Sequence, residues 1–344
     1  MFNINNMRVI YFYNEEWEKG FIAKKLPEHQ FVFYAAPIEA HLDVRDADAE
    51  VLSIFVKTRV DGAVMDRFPR LKLIAARSTG FDHIDVAEAA RRGITVVSVP
   101  AYGENTVAEF ALALMLALSR KIRDASHRMY DEHLFSQEGL RGFDLKGKVL
   151  GVIGTGRIGQ QVIKMARGFD MNVVANDPFP KDGIDGALGF SYVSLDDLFS
   201  QADVITLHAP HNEHTHHIIN KNTLPKLKRG VYIVNTARGG LIETLALVRG
   251  LDEGIIGAAG LDVFELEEYL GAGEKNVLIP DETAPENVRT LLGNHYLIEH
   301  PRVIVTPHNA FNTLEAVERI LDTTAENIRS FAAGTPQNIV NVGS

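Results

Sequence analysis

Residues 148–159 read KVLGVIGTGRIG and indicate the fold of most of the chain. The apolar run 149–153 leads directly into Gly154-Thr-Gly156-Arg-Ile-Gly159 and then into a helical pattern. In a βα unit of this kind the first glycine permits a tight turn, and the second lets a pyrophosphate approach the backbone. The third lets the helix pack closely against the strand. The stretch therefore predicts a dinucleotide-binding βα unit.

An acidic residue follows at the distance that this motif requires. Asp177 ends the run VVAND (173–177), about twenty residues after the glycines. A carboxylate in that place accepts hydrogen bonds from both ribose hydroxyls and repels a 2′-phosphate, so the predicted cofactor is NAD rather than NADP. The amides of Arg157 and Ile158 are predicted to face the pyrophosphate at the positive end of the helix. The alternative is an ordinary glycine turn with an unrelated aspartate.

Length and composition limit the function further. A chain of 344 residues suggests two domains. The net charge of −10 argues against nucleic acid as a partner, because binding to a phosphate backbone needs a basic face. The absence of cysteine excludes disulfides, thiolate nucleophiles and cysteine-bound zinc, and it favours a reducing cytoplasm. The most apolar helical stretch, 110–118, is bounded by charges and is too short for a membrane span, so no membrane partner is expected.

The order of apolar runs predicts the domain organisation. Strand-like runs alternate with helical patterns, which is typical of an α/β protein with parallel sheets. A long Ala/Leu helix is predicted from Asn105 to about 122, followed by a polar stretch, 123–144. The regular block 102–308 is predicted to be the NAD-binding domain. Residues 1–101 and 309–344 are predicted to form a second, discontinuous domain.

Polar residues follow the last three strand-like runs of the regular block. Arg238 lies in NTARGG (235–240), acidic residues lie in GLDVFELE (260–267), and His308 follows the run 303–305. Since ligands of open α/β sheets bind at the carboxyl ends of the strands, these groups can converge. An arginine in a glycine-flanked turn suits a bidentate grip on a carboxylate. A histidine beside a carboxylate suits a general acid near neutral pH.

Four motifs in this order resemble the D-isomer-specific 2-hydroxyacid dehydrogenases. They are GTGRIG, NTARGG, GLDVFELE and TPHNAF (306–311). The resemblance extends to STGFDHID (78–85) and VPAYGENTVAE (99–109), so it covers nearly the whole chain. It implies a Rossmann-type NAD-binding domain inserted in a flavodoxin-like substrate (catalytic) domain. It also implies reversible hydride transfer between NAD and a small 2-oxo or 2-hydroxy acid.

The resemblance assigns roles to individual residues. It implies a catalytic triad of Arg238, Glu267 and His308, with Glu267 preferred over Glu265 because of its spacing from Asp262. Further cofactor contacts are implied at Ala209, Pro210, Thr215, Thr236, Ala237 and Asp262. The family holds the substrate carboxylate with backbone amides of the loop that matches Ser78, Thr79 and Gly80. Tyr102 and Phe311 match substrate-contacting positions of fermentative D-lactate dehydrogenases.

The choice of substrate is less defined than the reaction. The length of 268–300 resembles the D-lactate dehydrogenases, and pyruvate and D-lactate are the predicted pair. Asn309 stands where threonine is usual in that group, and Asn312 where an aromatic residue is frequent. Glycerate, a branched or aromatic 2-hydroxyacid, and phosphite are the alternatives within the enzyme class. An NAD-sensing transcriptional corepressor, which would share the triad, is the alternative of another class.

Two further features have competing interpretations. Five histidines fall within ten residues, at positions 208, 211, 214, 216 and 217. Because their spacing does not place four of them on one face of a regular element, a solvated loop is favoured over a metal site, and no metal is predicted. The apolar helix after Asn105 suits either a buried core or the interface of a homodimer.

Overall fold

The computed structural model describes residues 6–35, 38–41, 43–56, 58–270 and 284–341. The chain divides into two compact units: unit 1 comprises Met1–Tyr102 and Thr313–Ser344, and unit 2 comprises Gly103–Asn312. The predicted domain limits, at 101/102 and 308/309, lie one and four residues from these boundaries. Part of the segment 268–300, whose length entered the prediction of substrate, lies outside the described residues.

Unit 1 contains a five-stranded sheet in which every pairing is parallel. Its strands are β1 (Arg8–Tyr13), β2 (Gln30–Ala35), β3 (Val51–Ile54), β4 (Leu73–Ala76) and β5 (Thr95–Val97). They lie in the order β2-β1-β3-β4-β5, which is the flavodoxin-like order.

Side chains of β1 alternate between two cores, because successive residues of a strand point to opposite faces of the sheet. Val9 and Tyr11 face α1 (Glu16–Lys25), whereas Ile10 and Phe12 face the other side. On that other side lie the short helices α2 (Gly62–Met65) and α3 (Val86–Arg91). Both faces are covered, which explains why the strands read as continuous apolar runs.

Unit 2 contains a seven-stranded parallel sheet. Its strands are β6 (Val149–Ile153), β7 (Asn172–Asn176), β8 (Ser191–Tyr192), β9 (Val204–Leu207), β10 (Val231–Asn235), β11 (Ile256–Leu261) and β12 (Val303–Val305). They lie in the order β12-β11-β10-β9-β6-β7-β8. The order reverses at β6 and β9, as in the Rossmann fold, where a dinucleotide binds outside this switch point. The predicted fold class is confirmed.

Helices cover both faces of the second sheet. They are α4 (Glu104–Ser119), α5 (Ile122–Tyr130), α6 (Arg157–Gly168), α7 (Ile184–Leu188), α8 (Leu195–Gln201), α9 (Thr244–Asp252) and α10 (Pro285–Glu299). The last helix, α11 (Leu314–Ala332), returns to unit 1 and buries Leu321, Ala325 and Ile328 in the same core as Val9.

The region after α4 differs from its prediction. The long helix ends at Ser119 rather than near 122, because Lys121 adopts the left-handed conformation (φ 51°). The carbonyl oxygen of Ser119 instead accepts a hydrogen bond from the amide of Phe143, at 2.9 Å. A second helix, α5, then begins at Ile122 and covers the start of the stretch 123–144, for which no helix was predicted.

Most of the apolar side chains of α4 are buried within unit 2, including Leu112, Leu114, Met115 and Leu118. Of the helices that the structure describes, none combines the length and the apolar character that crossing a membrane requires.

Candidate active site

The glycine-rich turn between β6 and α6 lies at the switch point of the second sheet. Gly154 has a φ of 94°, and a Cβ there would lie 2.7 Å from the main-chain nitrogen of Ala209. A Cβ on Gly159 would lie 2.1 Å from the carbonyl oxygen of Gly154. At Gly156, which precedes the first residue of α6, a Cβ would meet nothing within 4 Å. At the first and third positions a side chain would clash with neighbouring main-chain atoms, so glycine is required there. The space beside the second glycine is open to a ligand.

Asp177 follows β7 and is bound to the same turn. Its Oδ2 accepts hydrogen bonds from the amide and the hydroxyl of Thr155, at 2.7 and 2.9 Å, and its Oδ1 accepts one from the amide of Phe179, at 2.9 Å. The hydroxyl of Tyr192 lies 2.9 Å from that of Thr155 and extends the network. These contacts fix one orientation of the carboxylate. Oδ1 keeps capacity for a further donor, such as a ribose hydroxyl.

A buried hydroxyl lies at the carboxyl end of β10. The side-chain oxygen of Thr236 is buried, and no hydrogen-bond partner for it exists among the described residues. A buried hydroxyl without a partner costs free energy, so a ligand atom that completes it is a physically reasonable expectation. Three features therefore fit a bound dinucleotide: the open space at Gly156, the oriented carboxylate of Asp177 and the unsatisfied hydroxyl of Thr236.

The remaining predicted cofactor contacts lie in loops at the same edge of the second sheet. Ala209 and Pro210 follow β9, and the carbonyl oxygen of Pro210 accepts a hydrogen bond from the hydroxyl of Thr215, at 2.6 Å. After β10, the amide of Ala237 donates to the side-chain oxygen of Asn235, at 3.0 Å. These bonds hold both loops in defined conformations.

His308 and Glu267 are hydrogen-bonded to each other at this edge. The Nδ1 atom of His308 lies 2.6 Å from Oε1 of Glu267, and the second carboxylate oxygen accepts the amide of Phe264 at 3.2 Å. Burial raises the pKa of the Glu267 carboxyl, but the hydrogen bond and the charge of His308 lower it further, and its net pKa lies below the ordinary value. The carboxylate is therefore ionised near neutral pH and can only accept the hydrogen bond.

Asp262 holds the loop that carries His308. Its Oδ1 accepts hydrogen bonds from the hydroxyl of Thr306 (2.5 Å) and the amide of Asn309 (2.8 Å), and its Oδ2 accepts the amide of Ala310 (2.8 Å). The amide of His308 donates to the main-chain oxygen of Asp262, at 2.8 Å. His308 has a φ of 52°, an uncommon value for a histidine, so these bonds stabilise a backbone conformation that is unfavourable on its own.

Burial raises the pKa of the Asp262 carboxyl, against the opposing effect of the three donors and of His308. Asp262 was predicted only as a cofactor contact. Its bonds to the loop after β12 add a second role that no spacing in the sequence indicates.

Arg238 lies in the turn after β10. Its Nη1 donates to the carbonyl oxygen of Ala237, at 2.7 Å, and its own carbonyl oxygen accepts a bond from the side-chain amide of Asn235, at 2.8 Å. Its charge is one of the factors that lower the pKa of Glu267. A Cβ on the next residue, Gly239, would lie 1.9 Å from the carbonyl carbon of Phe264, so the arginine turn runs directly against the segment that carries Glu267. The structure thus brings Arg238, Glu267 and His308 to one edge of the sheet in unit 2.

The other predicted substrate contacts are divided between the units. In unit 1, the hydroxyl of Ser78 donates to the carbonyl oxygen of Gly80 (2.7 Å) and that of Thr79 to the carbonyl oxygen of Val99 (2.8 Å). The carbonyl oxygen of Tyr102 accepts a bond from Arg319, also in unit 1, at 2.7 Å. In unit 2, the ring of Phe311 stands edge-on to that of His308, with centroids 6.5 Å apart.

Among the described residues, no group of three or more histidine, cysteine, aspartate or glutamate side chains is arranged to hold a metal ion. His208 lies 2.8 Å from the hydroxyl of Thr206, and burial lowers the pKa of its imidazole to about 3. His217 instead pairs with Glu265, the glutamate set aside in favour of Glu267. Sequence reasoning missed this pair because 48 residues separate its members.

Comparison with known proteins agrees with these features. The model of the family described as "D-isomer specific 2-hydroxyacid dehydrogenase, NAD binding domain" matches residues 112–310. The D-lactate dehydrogenase of Escherichia coli (strain K12) is 39% identical over 288 residues, which cover 83% of this chain and 84% of that protein.

Two solved structures are also similar over almost the full length of both chains. The pyruvate reductase of Chlamydomonas reinhardtii is 36% identical, with a TM-score of 0.84 and coverage of 97% of this chain and 98% of that one. The D-lactate dehydrogenase from Aquifex aeolicus, in complex with NAD and lactic acid, is 32% identical, with a TM-score of 0.82 and coverage of 98% and 100%. With its family match, its fold and its switch-point site, the chain belongs to the NAD-dependent D-isomer-specific 2-hydroxyacid dehydrogenases.

Proposed function

We propose that this dehydrogenase reduces pyruvate to D-lactate with NADH, and that Arg238, Glu267 and His308 are its catalytic residues. The observation that carries the proposal is the pair of His308 and Glu267, 2.6 Å apart at the carboxyl edge of the NAD-binding sheet. A proton donor beside a dinucleotide site suits the reduction of a carbonyl, because the oxygen must gain a proton when the carbon gains a hydride.

His308 is the proposed acid. Since Nδ1 is bonded to a carboxylate, it carries a proton, and Nε2 is the ring nitrogen left to donate to the substrate oxygen. Glu267 orients the ring through this hydrogen bond. The backbone amides of His308, Asn309 and Ala310 donate hydrogen bonds to Asp262, so the ring is oriented before the substrate arrives.

Arg238 is the proposed substrate anchor. Its planar guanidinium suits a carboxylate and an adjacent carbonyl oxygen together, and its charge stabilises the negative charge that develops on that oxygen. Gly239, the next residue, leaves no side chain between the turn and the segment 264–265.

NADH, when bound, supplies the hydride. The proposed cofactor-binding residues are the glycine turn (154, 156 and 159) with the amides of Arg157 and Ile158, and Asp177 for the ribose. Ala209, Pro210, Thr215, Thr236, Ala237 and Asp262 are the proposed contacts toward the nicotinamide end. The buried, unsatisfied hydroxyl of Thr236 supports this assignment.

Pyruvate is proposed because the E. coli and C. reinhardtii relatives are named for D-lactate and pyruvate, and because Phe311 places an apolar ring beside His308. Such a ring favours a small apolar substituent on the 2-oxo acid. The substrate contacts of Ser78, Thr79, Gly80 and Tyr102 stay predictions.

A kinetic panel tests the proposal. Reduction is assayed with NADH and with NADPH against pyruvate, hydroxypyruvate, and branched and aromatic 2-oxo acids. Oxidation of phosphite is assayed with the oxidised cofactors. We expect the highest kcat/KM for pyruvate with NADH. A higher value for another acid would replace the substrate but keep the reaction, whereas no turnover with any compound would favour the corepressor function.

We also propose that the enzyme is a cytoplasmic homodimer. Exposed apolar side chains on α5 and after it support self-association: Ile122, Met129, Tyr130, Leu134 and Phe135. The absence of cysteine supports a reducing compartment. Sedimentation at several concentrations and fractionation of cells test the two parts, and a monomer at micromolar concentration would contradict the first.

A further inference from the structure

A second histidine–glutamate pair lies close to the first. Nε2 of His217 is 2.5 Å from Oε1 of Glu265, and both side chains are largely buried, with 29% and 15% of their surface exposed. Glu265 and Glu267 leave the same turn after β11 but bind different histidines, His217 and His308. The proposed reaction uses only the second of these pairs.

Glu265 is also bound to two helices. Its Oε2 accepts the amide and the hydroxyl of Thr244, the first residue of α9, both at 2.7 Å. Its carbonyl oxygen accepts the side-chain amide of Asn294 in α10, at 2.6 Å, and Asn294 is fully buried. Three elements therefore hold Glu265: α9, α10 and the loop that carries His217.

The same pair holds the arginine turn. The amide of His217 donates to the carbonyl oxygen of Gly240, at 2.8 Å, two residues after Arg238. Gly239 lies so close to the other side that its Cβ would be 2.2 Å from the main-chain nitrogen of Glu265. The turn of Arg238 is thus confined between the backbone of His217 and the backbone of Glu265.

The turn that carries Glu265 and Glu267 also needs contacts that hold its backbone. Leu266, between Glu265 and Glu267, has a φ of 55°, a left-handed backbone conformation that is unfavourable for a leucine. Such a conformation persists only where the surroundings impose it. The carboxylate of Glu265, bonded on one side of Leu266, supplies that restraint, and Glu267 on the other side then reaches His308.

We propose that His217 and Glu265 are a pair of positioning residues. They hold the turn of Arg238 and the turn of Glu267 in a fixed position relative to each other. The inference rests on the proposed roles of Arg238 and Glu267. It also gives the histidine cluster a role: His216 stacks on the ring of His217 with centroids 3.7 Å apart, and His211 lies 3.0 Å from His216. These two rings support His217 from the loop side.

Matched variants test the pair. His217→Leu removes the donor to Glu265, whereas His217→Gln keeps an N–H at a similar reach. Because His217 has a φ of 52°, both replacements must adopt the same left-handed conformation. His214→Gln changes a neighbouring histidine whose side chain is 85% exposed. Each variant is measured for kcat, for KM of the 2-oxo acid, for the Kd of NADH by fluorescence, and for Tm.

We expect His217→Leu to lower kcat/KM by about tenfold to a hundredfold, since small displacements of positioned groups have effects of that size. KM should rise and kcat should fall, because Arg238 and Glu267 are displaced relative to each other. The Kd of NADH should stay at the wild-type value. His217→Gln and His214→Gln should stay close to wild type. In a Glu265→Leu background, His217→Leu should cause little further loss, because the partner is already absent.

Several results would overturn the inference. They are unchanged kinetics in His217→Leu, an equal loss in His217→Gln, or a parallel loss of NADH affinity. If Glu265→Leu does not fold, the comparison of the two His217 variants decides the question alone. A wild-type enzyme that reduces no 2-oxo acid would instead refute the proposed function, and the positioning role with it.

Discussion

His308 and Glu267 meet through Nδ1 and Oε1, 2.6 Å apart, although 41 residues separate them in the sequence. Two residues at this contact, His308 itself and Leu266, have left-handed backbone conformations, and the carboxylates of Asp262 and Glu265 accept backbone hydrogen bonds beside them. The proposed site therefore contains a histidine–glutamate pair and two further carboxylates that are bonded to the surrounding backbone.

Replacement of His308 by glutamine should lower kcat about a hundredfold or more, because the proton donor is lost. NADH binding should persist, since the glycine turn and Asp177 are not changed; its Kd is measured by fluorescence titration. His127→Gln, at a side chain that is 58% exposed, is the control and should be neutral. Near-normal turnover of the His308 variant would show that another group protonates the substrate.

Replacement of Arg238 by lysine should raise the KM of the 2-oxo acid at least about tenfold, with a fall in kcat. Lysine keeps the charge but cannot form two parallel hydrogen bonds with a carboxylate. Steady-state kinetics with pyruvate measure the effect. The matched control is Arg249→Lys, whose guanidinium binds Glu253 on the surface of α9. Equal kinetics in the two variants would contradict a bidentate contact at Arg238.

Much of this arrangement was predictable from local patterns. The run before Gly154 and the spacing to Asp177 identify a βα unit, because each step of that motif is set by neighbours in the sequence. The apolar runs 149–153 and 303–305 coincide with the observed strands Val149–Ile153 and Val303–Val305, since buried parallel strands are short, continuous apolar runs.

Other features depend on contacts between distant segments. The end of α4 depends on Lys121 and on the amide of Phe143, neither of which lies in the apolar pattern of the helix. The pairing of Glu265 with His217 depends on how far the loop after β9 reaches. No spacing rule states which of two glutamates two residues apart will meet which histidine.

Replacement of Asp177 by asparagine should lower the ratio of kcat/KM for NADH to that for NADPH about tenfold or more. The change removes the charge that repels a 2′-phosphate. It keeps one oxygen that accepts from Thr155, whereas the other carboxylate oxygen becomes an NH2 group that can only donate. Initial rates with each cofactor at fixed pyruvate give the ratio. Asp182→Asn, at an exposed position nearby, should leave it unchanged. An unaltered ratio in the Asp177 variant would place the selection against NADPH elsewhere.

Replacement of His208 by glutamine should reduce the loss of stability in acid. Burial lowers the pKa of His208 from 6.5 to about 3, so between these pH values the unfolded chain binds a proton that the folded chain does not. Protonation therefore favours unfolding, and this part of the stability is lost as pH falls below 6.5. The slope for one group is at most about 1.4 kcal/mol per pH unit.

Urea unfolding at pH 7, 6 and 5 measures this effect. The free energy of unfolding of the wild type should decrease relative to that of His208→Gln at each lower pH. His127→Gln, whose side chain is mostly exposed, should follow the wild type. A constant difference between the wild type and the His208 variant would mean that His208 is protonated in the folded chain as readily as in the unfolded one.

Replacement of Gly159 by alanine should destabilise the NAD-binding unit by about 1–3 kcal/mol, because its Cβ would lie 2.1 Å from the carbonyl oxygen of Gly154. Relief of that clash must move the turn, so the Kd of NADH should rise as well. Gly168 lies in the same helix, and a Cβ there would meet nothing within 4 Å. Gly168→Ala should therefore stabilise the protein by about 0.5–1 kcal/mol and leave the Kd unchanged. Urea unfolding and fluorescence titration of both variants separate the two positions, and equal effects would show that α6 does not need its close contact with the turn.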